Sequence, residues 1–284
     1  MSSSNQLFIL LFIVLIGLPS VGSADPLTIV IDPGHLPSAP GAEGSCGTRE
    51  VDANDAATKA IQRLLQTSGN FKTQLTRESQ KYVLPIADES FSGGESRESL
   101  IRRAEIANQV NAGAFISIHH DSVEPQYLIH DPQICRGHGG FRISDGFKKK
   151  QKIGFSIFVY QGDDSNKARF ELSKFLATLI GKKLRSQGLV PSDYHQKPIE
   201  HCHSCRLLNA EFGVWNQDLA VLKKTRMPAI LIEAHNIVDP EYERAVNSQQ
   251  FRDSLALAIK QGLEEFFKNP AARAAVYIPS TAAR

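Results

Sequence analysis

Ile29-Val30-Ile31-Asp32-Pro33-Gly34-His35 is the stretch on which the fold turns. The apolar, β-branched run that begins at Leu27 reads as a strand buried on both faces, the kind found in parallel sheets covered by helices. Asp-Pro-Gly breaks it and delivers a histidine. A second apolar run, residues 114–118, delivers His119, and a third, residues 228–233, ends in Glu233. Helical periodicity separates these runs, over residues 50–67, 98–110, 166–187 and 248–267. Residues 71–76 and 155–160 read as further strands and 219–222 as a short one. Segments 36–49, 77–96, 122–152 and 188–218 read as loops. Strands alternating with helices predict a single α/β domain, with a mostly parallel twisted sheet flanked by helices. In such sheets the active site lies at the C-terminal ends of the strands. His35, His119 and Glu233 all fall there.

The chain has 284 residues, 42% hydrophobic and 22% charged, which suits one sizeable globular domain. A formal net charge of +2 argues against a strongly nucleic-acid-binding surface. Residues 7–18 are almost unbroken apolar, followed by Val21-Gly22-Ser23-Ala24. This reads as a secretory signal peptide over residues 1–24. One feature departs from that pattern, since no Lys or Arg precedes the apolar run, and the competing reading is an uncleaved membrane anchor. A catalytic domain is expected over 25–268 and a flexible tail over 269–284. The mature protein is then exported to the periplasm or beyond the cell, with no stable membrane span.

Export permits disulfides among Cys46, Cys135, Cys202 and Cys205. For His201-Cys202-His203-Ser204-Cys205 three readings stay open: a local Cys202–Cys205 disulfide, a cross-loop pairing with Cys46 or Cys135, and a second zinc site. Lys148-Lys149-Lys150 with Lys152 reads as a solvated run or a contact for anionic wall polymers.

Two histidines and a carboxylate, here His35, Glu50 and His119, form a recurrent catalytic zinc set with one position open. Zinc lowers the pKa of bound water to about 7 and polarises a carbonyl oxygen. Glu233 is the candidate base that moves the water proton to the leaving amine. The residues alone leave plainer readings standing: loop histidines, and a Glu50 that serves only as a helix N-terminal charge.

The stretch 29–35, followed by Gly41-Ala42, Gly47 and Glu50, resembles the opening of the zinc-dependent N-acetylmuramoyl-L-alanine amidases of the Amidase_3 type. Leu75-Thr76-Arg77, Arg103 with Ala107-Asn108, and Ala114-Phe115-Ile116-Ser117-Ile118-His119 keep that family's order. So do Ala220-Val221-Leu222-Lys223, Met227-Pro228-Ala229-Ile230-Leu231-Ile232-Glu233, Ala256 and Ile259. The resemblance implies one catalytic zinc held by His35, Glu50 and His119, with Glu233 catalytic. It implies cleavage of the amide between N-acetylmuramic acid and L-alanine of the peptidoglycan stem. Two rivals remain, a zinc peptidase or deacylase on another amide and a non-catalytic wall-binding protein. Three features depart from the family: His120-Asp121 after the third strand, Ala234-His235-Asn236 after Glu233, and the long 122–152 segment. His120 and His235 are candidate cleft-lining residues. Some members carry a helix that plugs the site until an activator protein removes it. None is expected after the strand ending near Tyr160, and 122–152 is the candidate shield instead.

Overall fold

In the computed structural model, which describes residues 26–78, 81–82, 96–193, 195 and 205–276, the opening run is strand β1 (Leu27–Pro33). It is followed by α1 (Glu50–Thr67), β2 (Phe71–Leu75), the short β3 (Arg77–Glu78) and β4 (Lys81–Tyr82), α2 (Arg97–Gln109) and β5 (Ala114–Asp121). Next come β6 (Leu128–His130), β7 (Phe141–Ile143), α3 (Asp145–Lys148), β8 (Ser156–Val159) and α4 (Lys167–Ser186). The remainder is β9 (Arg206–Asn209), β10 (Val214–Asn216), α5 (Ala220–Lys223), β11 (Ala229–Asn236), α6 (Pro240–Val246), α7 (Gln249–Phe266) and α8 (Pro270–Val276). The expected signal peptide, His201, Cys202 and His203 lie outside the described residues.

Seven strands form one sheet in the order β2-β1-β5-β11-β8-β10-β9. The first four run parallel. β8 is antiparallel to β11, β10 is parallel to β8, and β9 is antiparallel to β10. Alternate residues face two separate cores. Ile29, Ile31, Ile116, Ile118, Ile230 and Ile232 turn toward α1, α4 and α7, while Val30, Phe115, Phe158, Trp215 and Leu231 turn to the other side. Covered faces on both sides are why these strands show no polar alternation. Each fully buried aliphatic side chain contributes about 1.5–3 kcal/mol, so the central strands are held mainly by this burial. Serines start two flanking helices: the Ser96 and Ser248 side chains accept the backbone N–H of Ser99 and Phe251.

Several expectations change. Residues 220–223 are helix rather than strand, with Val221 and Leu222 buried in the second core. So short an apolar run has no periodicity that separates the two states. Segment 188–218 contains β9 and β10. Segment 122–152 contains the β6–β7 hairpin and α3, built on a small core of Val123, Ile143, Phe147 and Val238. The start of the presumed loose tail is helix α8: Ala272 is fully buried and the Asn269 side chain accepts the Ala271 N–H. Cys46 pairs with Cys135, so neither bonds the 201–205 segment. Cys205 is itself disulfide-bonded. Lys148 is ion-paired with Asp239 at 2.6 Å. Because β8 opposes β11, its Tyr160 end lies on the far side of the sheet from Glu233, whose register partner is Ser156. The chain entering β8, not the chain leaving it, arrives at the end of the sheet that carries the expected site.

Candidate metal centre

His35 follows β1 with φ of 62°, a left-handed backbone that costs a non-glycine residue about 1–3 kcal/mol. Two buried arginines hold it. Arg103 donates to the carbonyls of Pro33 and His35, both at 2.7 Å. Arg77 donates to Pro33 and Gly34 at 3.0 and 2.8 Å. Arg77 also forms an ion pair with Asp55 at 2.8 Å. Arg103 is anchored in turn by Asp32 at 2.7 Å, and each of these side chains is 1% exposed. Asp32 also accepts the Ser117 and Thr76 hydroxyls. Burial alone would push the Asp32 carboxyl up, but Arg103 and the two hydroxyls more than offset this and keep it below the usual carboxylate range.

Glu50 opens α1, and its carboxylate lies between two imidazoles. Oε2 is 3.0 Å from His35 Nε2, and Oε1 is 3.1 Å from His119 Nδ1. Oε2 also accepts the Ala42 N–H, and Oε1 accepts the N–H of His120 and the Asn54 amide. Burial disfavours the Glu50 charge, yet hydrogen bonds with His119 and His35 hold its carboxyl far below the usual range. One donor atom from each of His35, Glu50 and His119 lies within 4.8 Å of the others. Two glycines leave room for these rings. A Cβ on Gly34 would overlap the His119 ring, and one on Gly41, whose φ is 77°, would overlap Glu50 and His35.

Glu233 is the register partner of His119 on the adjacent strand. Its Oε2 is buried and accepts no hydrogen bond from the described residues. Burial, then the charges of Asp121 and Glu50, raise its pKa well above the ordinary glutamate value.

The two other histidines sit elsewhere. Strand alternation sends His120 away from His119. It is 1% exposed, and its Nδ1 is 2.8 Å from the Asn54 side-chain oxygen. It therefore stands behind Glu50 and does not line a cleft. Burial pushes its pKa down to about 3. The register shifts between Glu233 and Asn236, and His235 packs on Tyr242 and Phe251. Burial lowers its pKa as well. Both histidines are thus neutral when folded. Their contribution to stability is present above pH 6.5, the ordinary histidine value, and is lost as pH falls through their lowered folded values, about 3 for His120. In the metal-free protein the urea midpoint should fall steeply from pH 6.5 to 4.5, and a flat profile would remove this account.

Sequence reasoning did not single out the Asp32–Arg103–Arg77 support, nor Asn54. It also missed the ion pair of Asp121 with the buried His195, 3.1 Å long. The available signal was Asp32, the one charged residue near the end of a strand otherwise apolar but for Thr28.

The Amidase_3 family model, described as N-acetylmuramoyl-L-alanine amidase, matches residues 29–265. N-acetylmuramoyl-L-alanine amidase AmiA of Escherichia coli (strain K12) is 25% identical over 268 residues, which is 84% of this chain and 75% of that one. A putative N-acetylmuramoyl-L-alanine amidase of Buchnera aphidicola subsp. Acyrthosiphon pisum (strain APS) is 26% identical over 248 residues, 85% of this chain and 94% of that one. Among solved structures, the N-acetylmuramyl-L-alanine amidase Ami1 from Mycobacterium smegmatis has a TM-score of 0.60 at 19% identity, covering 87% of this chain and 99% of that one. The CwlD amidase from Clostridioides difficile, in complex with the GerS lipoprotein, has a TM-score of 0.58 at 22% identity, covering 85% and 98%. These structural likenesses bear on the fold.

Proposed function

Because the chain belongs to the Amidase_3 family of N-acetylmuramoyl-L-alanine amidases, hydrolases of peptidoglycan, we propose that His35, Glu50 and His119 hold one catalytic zinc ion and that Glu233 moves the protons of the reaction. The observation that carries this is the convergence of the three donors within 4.8 Å, with Glu233 on the neighbouring strand. Two imidazoles and one carboxylate suit zinc, and three protein ligands leave a position for chemistry. When bound, zinc supplies Lewis acidity at the scissile carbonyl.

The chain's own residues supply the rest. Arg103 and Arg77 fix the His35 turn from behind. The Ala42 and His120 N–H groups and Asn54 orient the Glu50 carboxylate. Glu233, with its raised pKa, takes a proton from the attacking water and gives one to the L-alanine amine that leaves.

Residues 1–24 are in our reading a signal peptide, residues 25–268 the catalytic domain, and the periplasm or the space outside the cell the place of action. No described helix is long and apolar enough to cross a membrane. The CwlD neighbour was solved with a lipoprotein. By that analogy we propose a protein partner for this chain as well.

Purified murein sacculi test the reading. The protein should release free stem peptides and leave glycan strands, stop on chelation and resume with zinc. Cleavage inside the stems would make it a peptidase, and binding without release would make it a wall-binding protein. The N-terminal residue of exported material, Asp25 if cleavage follows Ala24, reads the leader.

A further inference from the structure

Three large apolar side chains are exposed among the described residues, and two of them, Ile129 and Phe141, stand on the β6–β7 hairpin. Leu128 and Ile143 pair across this hairpin and turn inward to its small core. On the same face, one step toward the tip, His130 pairs with Phe141. Their rings meet edge to face with centroids 5.4 Å apart. Phe141 is 40% exposed. Ile129 and its partner Arg142 point the other way.

The platform is fixed to the metal-side loop. Cys135, in the hairpin's connection, is bonded to Cys46. The Gly140 N–H donates to the Ser45 carbonyl, and the Ser45 hydroxyl shares its one hydrogen between the carbonyls of Phe141 and Val238. The buried Glu243 carboxylate accepts the N–H groups of Cys46 and Thr48 at 2.7 and 2.8 Å. Glu50 follows Ser45 by five residues, a contour of at most ~18 Å. An aromatic face is therefore held in water at a fixed position on the loop that leads into Glu50, where a merely structural hairpin would gain by burying it.

We propose that the Phe141–His130 face is a subsite for the glycan strand of peptidoglycan, taking sugar rings beside the muramic acid whose amide is cut. This rests on the amidase reading, because that reaction places a glycan strand one lactyl group from the metal. A pyranose ring offers an apolar C–H face, which packs on an aromatic ring, and a polar rim, which an exposed imidazole can meet. The anionic stem peptide fits this face less well, since the hairpin's Arg142 points to the opposite side, where it is ion-paired with Asp145.

The test uses peptide-free glycan strands as the probe and the Glu233→Gln protein as a non-cleaving host. Phe141→Ala in that host should weaken glycan binding about fivefold or more. Ile129→Ser, on the opposite face, should leave it unchanged. In the active protein, Phe141→Ala should raise KM for sacculi and spare kcat. Unchanged glycan affinity in a Phe141→Ala protein with full zinc content would falsify the subsite. Loss of binding to anionic phospholipid vesicles instead would assign the patch to a membrane and also overturn it. Glycan binding is read without turnover, so a protein that fails to digest sacculi defeats the amidase reading separately.

Discussion

In the Glu233→Gln variant, release of stem peptides from sacculi is expected to fall by about 10²–10⁴ while zinc content stays at the wild-type level. The amide keeps the shape of the carboxyl and its place in the β5–β11 register. It loses only the ability to take and give a proton. Glu233 is not one of the three converging donors, so metal binding has no reason to change. Its environment suits proton transfer. Burial and the nearby Asp121 and Glu50 charges move its pKa well above the ordinary glutamate value, a perturbation of the kind found at proton-transferring groups. Turnover near normal, with zinc measured by elemental analysis, would take Glu233 out of the mechanism.

Arg103→Ala should be among the most damaging changes outside the candidate metal ligands, costing about 3–5 kcal/mol of folding stability. It removes one partner of a buried ion pair and leaves the Asp32 carboxylate with only the Ser117 and Thr76 hydroxyls. It also strips donors from the carbonyls of Pro33 and His35. The left-handed turn at His35 loosens, and zinc affinity should drop about 10–100-fold, as for other residues that orient ligands. Two further measurements separate charge from packing. Asp32→Asn in the Arg103→Ala background should recover part of the lost stability, because it removes the orphaned charge. The gap between wild type and Arg103→Ala should also narrow below pH 3.8, where the native advantage of an ionised Asp32 is lost. A gap independent of pH, with no recovery in the double variant, would mean that the arginine acts only by filling space.

The two candidate histidine ligands were legible because each lies where an apolar run ends, and Glu50 because it opens a helix after a glycine-rich loop. A buried strand that stops at a histidine can be recognised without knowing its neighbours. The support behind the ligands was not legible in the same way. Arg77 and Arg103 are charged residues that sequence reasoning places at the surface. Only the long-range meeting of Arg103 with Asp32, 71 residues apart, shows that they are buried. The resemblance quoted Thr76, Arg77 and Arg103 as family markers, and the structure gives them a physical task. His120 illustrates a different limit. Its neighbour His119 converges with His35 and Glu50, and strand alternation alone puts the two histidines on opposite faces. What the sequence hid was that Asn54 and Phe251 close over the inward one. The hairpin at 128–143 was read as loop because each strand has three residues, too few for any period to show.

The last strand of the sheet in chain order, β11, is the middle one in space, between β5 and β8. During synthesis the three candidate metal ligands emerge early and Glu233 late. A nascent or truncated chain therefore lacks part of the proposed hydrolytic apparatus, because the central pairing waits for the distant C-terminal third. Such non-local closure is intrinsically slow. It also makes activity all-or-none with respect to chain completion, so fragments ending before β11 should not attack the wall.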